Sequence, residues 1–493
     1  MTRNVVARLS RLSLMLVSLG YGGACLANEA TLLTSASDVR YRAIGQLALG
    51  DGADAPLCTG TVVAGSASPD GHRPALVLTA GHCVLGLRAG GNEIMVDKAA
   101  PAGSRFTPAY FQDARSGHVP AAVDRVLYAT TKGADLAVLQ LAVTYGELLG
   151  SGVEPLVPAA PGIVDDLPVE LVHVPVIDVP EVDRFTRLST CAAEAPGRIF
   201  EAEWFLTSAS RTDCAGVAGG SSGAPVLRQG TRDIVGVLGT GVDPRFDGCG
   251  WDRPCELLGR EAVSVGGASY QSLVAPLVAG FRTDGSWNAV GLDAGNGVKL
   301  GRVGPQYTGS LVAEEEERVP ARWGLVVDDR TNWIRYKQGD AASVDCARMD
   351  GYSAPVLARE LQMERMPLPQ AEGVYAMCVI GQLDIDNDWQ RPEHASVMLR
   401  VIDDTPPTTV PEVIVRAETD DRWSVELRGP YVDRYLIKRV PIGATSCADD
   451  ADYRILPSSF ISLSKSRAPT RLCVKGRDEA GNRSPAGLMD FSE

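Results

Sequence analysis

Histidine is scarce in this chain, with five in 493 residues. No C-x-x-C pair and no cysteine–histidine cluster occurs, which excludes the metal and dithiol motifs that such spacings build. After Leu12 to Leu19 no apolar run is long enough to span a bilayer. Residues 153–180, rich in proline and β-branched side chains, show no helical period. Lysine and arginine number 47 against 61 acidic residues, and the net charge of −14 argues against nucleic acid as the main partner.

The length implies two to four domains, and 45% hydrophobic with 22% charged residues is ordinary globular composition. Arg3, Arg8 and Arg11, the apolar run and the small-residue exit Ala24-Cys25-Leu26-Ala27 read as a signal peptide over 1–27. A secreted or periplasmic chain follows. Lipidation at Cys25 is the rival reading, weakened by Gly22-Gly23-Ala24, where such signals carry leucine. Ten of the 11 cysteines then remain, an even number that implies disulfides. Nearest-neighbour pairing gives Cys58–Cys83, Cys191–Cys214, Cys249–Cys255, Cys346–Cys378 and Cys447–Cys473. No metal and no organic cofactor is called for.

The chain is organised around Gly219-Gly220-Ser221-Ser222-Gly223-Ala224-Pro225, a tight turn that presents a hydroxyl and leaves backbone amides free. Upstream stand Thr79-Ala80-Gly81-His82-Cys83, at the end of an apolar strand, and Asp135-Leu136-Ala137-Val138-Leu139. The run after Asp135 implies burial, and a buried carboxylate needs a partner. His72, His118, His173 and His394 lack such a setting and are read as carrying no chemistry.

These three blocks, in this order, resemble the catalytic blocks of trypsin-like (chymotrypsin-fold) serine peptidases over roughly residues 40–280. The resemblance implies a two-β-barrel domain in which Ser222 is nucleophile, His82 general base and Asp135 its orienting acid. It implies an oxyanion hole from the Gly220 and Ser222 amides, and a Cys58–Cys83 staple beside the histidine. The substrate would be protein or peptide. Its pocket would be built from Gly216 and Val217, which offer no acid, and from the wall strand Leu238, Gly239, Thr240 and Gly241. That lining favours a neutral, small-to-medium side chain, unless Asp213 or Asp252 enters the pocket. Residues 268–281 would form a closing helix. Ser221 fits the centre of G-x-S-x-G, but the fold that uses that motif places its acid and histidine after the nucleophile. Only His394 lies downstream. Ser221 also departs from the animal enzymes, which carry aspartate there to bind a newly cut N-terminus. Activity without that switch is therefore expected.

Beyond the peptidase region (28–290) and a linker (291–306), Arg322-Trp323 recurs as Arg422-Trp423. Cys378-Val379-Ile380-Gly381 likewise recurs as Cys473-Val474-Lys475-Gly476. A period of about 100 residues is the size of one β-sandwich. Two tandem sandwich modules, 307–403 and 404–493, are expected in an all-β protein. A cell-surface or glycan ligand and the protein substrate itself are the alternatives for what they bind. Asp384-Ile385-Asp386-Asn387-Asp388 lacks the glycine and terminal glutamate of a calcium loop and reads as solvated.

Overall fold

The computed structural model describes residues 30–492 apart from 53–54, 161–162, 244–247, 315–316, 329–330, 383–387, 430–433 and 457. The signal-peptide reading, and most of the Asp384 loop, lie outside the described residues. Strands make up 45% of the chain and helices 9%, in line with the all-β expectation. All five expected disulfides are formed. Among the described residues no helix is long and apolar enough to cross a membrane.

Six strands close the first barrel: Ala121–Thr130, Arg105–Pro108, Ile44–Ala48, Leu57–Val63, Pro74–Thr79 and Leu136–Thr144. The last pairs back onto the first over a long register. Inward residues such as Ile44, Leu47, Val62, Val77, Phe106 and Leu139 are fully buried. Closure leaves these strands without a free edge. The second ring runs through Arg187–Ala193, Leu167–His173, Pro225–Arg228, Asp233–Gly241, Ser269–Leu273 and Trp204–Thr212. It closes through one residue pair, Ala193 with Thr212.

The expected closing helix over 268–281 is corrected here. Ser269–Leu273 is a strand, buried at every position and paired on both sides, and only Ala275–Val278 is helical. Hydrogen bonding in the barrel wall overrides any local helical preference.

Residues 291–306, read as a linker, carry the strand Leu300–Arg302, which pairs with Leu325–Val327. Val298 from the same stretch enters the core around Trp323, Ile334 and Met377. The main sheet of this unit orders Tyr307–Thr308, Ser396–Ile402, Gly373–Gly381, Trp333–Asp340 and Val356–Leu357. Strand Gly373–Gly381 is buried on both faces. Tyr375, Met377 and Val379 fill the unit's own core, whereas Val374 and Ala376 pack with Phe200, Phe205 and Leu257 of the second barrel's flank. Asn92, from the first barrel's side, exchanges two hydrogen bonds with the Val397 backbone (2.7 and 2.8 Å). Double burial accounts for the unbroken apolar run Val374 to Ile380.

Residues beyond 404 form a three-stranded sheet (Glu412–Glu418, Arg422–Arg428, Phe460–Ser464) and a four-stranded one (Arg454–Leu456, Arg434–Val440, Thr470–Arg477, Gly487–Phe491). Trp423, Val425, Leu472 and Phe491 are buried in the core they share. Both C-terminal units hold a lysine inside a loop. Lys337 Nζ donates to the carbonyls of Asp345, Arg348 and Asp350 (2.5–2.9 Å). Lys438 Nζ donates to those of Ser446, Asp449 and Ala451. A tyrosine hydroxyl, Tyr352 or Tyr453, donates to the carbonyl of the neighbouring Cys346 or Cys447.

Candidate active site

Strand Pro74–Thr79 runs into the one-turn helix Gly81–Leu85, which carries His82 and Cys83. A Cβ on Gly81 would lie 2.0 Å from the Thr130 carbonyl, so only glycine lets the helix turn against the barrel wall. Asp135 stands at the head of Leu136–Thr144 and is 1% exposed. One carboxylate oxygen accepts the His82 backbone N–H at 2.7 Å, and the other meets His82 Nδ1 at 2.7 Å. The Asp135 amide donates to Ser272 Oγ at 2.9 Å.

Burial alone would lower the His82 pKa. The Asp135 charge and hydrogen bond override it and leave the imidazole above its ordinary value, with Glu201 and Asp252 adding to the rise. Asp135 thereby selects the tautomer with Nδ1–H and leaves Nε2 free to accept a proton. Cys58 and Cys83, which cluster with His82, are joined in a disulfide and offer no thiolate to a metal.

Ser222 reaches the site from the second barrel. Its hydroxyl donates to the Gly239 carbonyl at 3.3 Å. Gly239 in turn lies against the acid: a Cβ there would be 2.8 Å from Asp135 Oδ2. Cys83 Sγ lies 3.9 Å from His82 Nε2 and 4.0 Å from the Ser222 carbonyl oxygen, so the two residues flank one disulfide. No hydrogen bond joins Ser222 to His82 among the described residues. Such bonds tighten in many enzymes only once substrate is bound.

The turn's backbone is fixed residue by residue. The Gly219 carbonyl accepts the amides of Val176 and Ile177 (2.7 and 2.9 Å). In a trans peptide the following N–H points the opposite way, so the Gly220 amide faces away from that segment. Gly220 and Gly223 have φ of +99° and +87°, values a side chain would resist. Neither the Gly220 nor the Ser222 amide donates a hydrogen bond among the described residues. The turn is seated on the first barrel, where the Thr59 amide donates to the Ser222 carbonyl (2.8 Å) and Thr59 Oγ1 to that of Gly220 (3.0 Å).

The residues expected to line the pocket divide. Gly239, Thr240 and Gly241 form the strand end beside Ser222. Leu238 is 1% exposed and packs in the second barrel's core with Leu171, Val226 and Val235; its side chain is therefore corrected from pocket wall to core. Val217 packs against the same core. At Gly216 a Cβ would meet Ala30 Cβ at 2.6 Å, so the N-terminal stretch lies against it. Asp213 is exposed. Asp252 is tied by its amide to Glu201 Oε1 (2.8 Å).

Several neighbours carry no motif. Trp204 stacks on the His82 ring, with centroids 5.5 Å apart at 27°, and its indole N–H donates to the Ala89 carbonyl. Trp251 stands edge-on to Trp204 with the Arg88 guanidinium over it, and so buttresses the indole that stacks on the histidine. Glu201 is 2% exposed, and burial pushes its carboxyl up to about 7 against the pull of Thr240, the Asp252 amide and His82. His173, expected to be idle, is fully buried, with Nδ1 2.8 Å from Ser221 Oγ. Burial, then the Arg187 charge, pushes it down to about 3. The ring is neutral.

No family model matches the chain, and no curated protein does. Solved structures similar to it include a thermostable serine protease, AL20, from an extremophilic microorganism (15% identity, TM-score 0.30, 48% of this chain and 93% of that one). Others are the protease Anisep from Arthrobacter nicotinovorans (16%, 0.31, 48% and 91%) and a scabies mite inactivated protease paralogue (14%, 0.32, 49% and 94%). The chemistry of the chain rests on its own residues.

Proposed function

We propose that this chain is an exported serine endopeptidase of the trypsin-like kind, with residues 28–290 as its catalytic unit. The reading is carried by the Asp135–His82 pair at 2.7 Å, with Ser222 held on the glycine that abuts the same carboxylate. Ser222 Oγ attacks the scissile carbonyl as His82 Nε2 takes its proton, and the C–O bond formed gives a tetrahedral oxyanion. The Gly220 and Ser222 amides receive that charge, each worth about 2.7–4 kcal/mol in a comparable site. His82 then protonates the leaving amine as the C–N bond breaks, leaving an acyl-Ser222 ester. Water, deprotonated by His82, hydrolyses the ester and restores the serine.

With Gly239, Thr240 and Gly241 as the strand end beside Ser222, the pocket suits a neutral, small-to-medium side chain. The units 307–403 and 404–493 are read as tandem accessory modules that dock on a cell surface, a glycan or the substrate. A second reading, an inactive homologue that works as an adhesin or binding protein, draws on the Ser222 hydroxyl being turned to Gly239 rather than to His82.

A fluorophosphonate probe separates the two. The wild-type chain and Ser221→Ala are expected to label, and Ser222→Ala is not. A wild-type chain that stays unlabelled sinks the peptidase reading.

A further inference from the structure

The segment after strand Leu167–His173 acts as a mould for the nucleophile turn. Val176 and Ile177 hold the Gly219 carbonyl, and the Val174 amide donates to Thr59 Oγ1 (3.0 Å), which itself donates to the Gly220 carbonyl. His173 completes the series one residue further along the turn, at Ser221. Both side chains are fully buried, and His173 Nε2 has no hydrogen-bond partner. Burying a polar ring with one nitrogen unpaired is costly, so the Nδ1 contact has to be worth keeping. Ser221 Oγ also accepts the Ala218 amide at 3.2 Å, while the Ser221 amide donates to the Ala218 carbonyl and its own carbonyl accepts the Ala224 amide. Ser221 thus links the histidine to the backbone on both sides of the turn, through its hydroxyl at Ala218 and its carbonyl at Ala224. A Cβ on Gly216 would be in ordinary contact with His173 Cε1 (3.8 Å) but only 2.6 Å from Ala30 Cβ, so Ala30 and the φ of +76° keep this position glycine.

We propose that His173 is a positioning residue: through Ser221 it fixes the turn with the Gly220 and Ser222 amides facing the cleft. The inference rests on the peptidase reading.

The test uses the full mature chain, an N-acyl amino-acid p-nitrophenyl ester as substrate, and a peptide boronic acid whose adduct on Ser222 places an oxygen at the oxyanion site. Ser221→Ala and His173→Phe are expected to lower kcat by about 10–100-fold, less than the roughly 10²–10³ that outright removal of an oxyanion donor costs, with KM nearly unchanged. Boronate affinity falls by the same factor, whereas affinity for the matching unreactive peptide amide holds. His173→Asn, which keeps a hydrogen-bonding group near the Nδ1 position, recovers most of the loss. Unchanged kcat in Ser221→Ala overturns the inference. So does a loss in which kcat, KM and Tm move together without recovery in His173→Asn, because that marks general destabilisation. An active wild type with unaffected variants leaves the peptidase reading standing; an inert wild type removes both.

Discussion

The two barrels bring unequal halves to one cleft. The first delivers a finished pair, His82 and Asp135, already bonded at 2.7 Å and mounted on a ring that closes over a long register. The second delivers a turn whose hydroxyl rests on Gly239 and whose ring closes through a single residue pair. Its order comes from loops, from the first barrel's Thr59 and from Leu238 of its own wall strand, which exchanges backbone hydrogen bonds with Gly223 and Ala224. On the proposed peptidase reading the difference teaches where rigidity is needed: the base must be oriented before substrate arrives, while the nucleophile has only to be within reach of it.

Replacing Asp135 with Asn attacks the finished half and carries the largest effect. The wrong tautomer is then favoured, and kcat is expected to fall by about 10⁴-fold with KM little changed, read by ester hydrolysis. A loss under tenfold would mean that the pair is structural. Gly239→Ala probes the junction, since its Cβ would lie 2.8 Å from Asp135 Oδ2 and must displace the carboxylate. A fall on the order of 100-fold is expected for a shift of about 1 Å.

Gly223→Ala tests the seating of the turn, where the new Cβ would meet the Thr59 carbonyl and Thr79 Oγ1, each at 2.1 Å, at φ +87°. A cost on the order of 3 kcal/mol is expected, seen as a Tm lowered by roughly 6–12 °C.

The pH profile sharpens the same contrast. His82 sits above its ordinary 6.5, so kcat/KM should be low in acid and climb as pH rises through that elevated value. The sign for stability is opposite. A histidine whose pKa is raised by folding stabilises most below the unfolded value, and the contribution is lost as pH passes the folded one. In Asp135→Asn the midpoint of the activity profile moves down.

The smallest effect on activity is expected from Leu399→Asp, which places a charge in the apolar seam between the second barrel's flank and the unit beyond it. Ester hydrolysis should change less than about twofold, while calorimetry resolves an extra unfolding transition.

Much of this was legible in the chain. The three blocks around His82, Asp135 and Ser222 carry their own signatures, and five short-range cysteine pairs formed as spacing suggested. What stayed hidden depends on contacts between distant residues. His173 looks like any histidine until the strand that ends in it is laid beside Ser221. Leu238 reads as pocket wall until its side chain is seen packed with Leu171, Val226 and Val235 in the barrel core. Ser272 and Trp204 join the site only because their strands meet Asp135 and His82 across the cleft. One missed signal was local: Val374 to Ile380 has no polar alternation, the mark of a strand covered on both faces.

The caged lysines have a consequence of their own. In each C-terminal unit an ammonium occupies the kind of oxygen-lined hollow that other proteins fill with a bound ion. Tethered to its own strand, this cation cannot be washed out by dilution, stripped by a chelator or outcompeted by a neighbour. These two loops stay braced whatever ions surround the molecule.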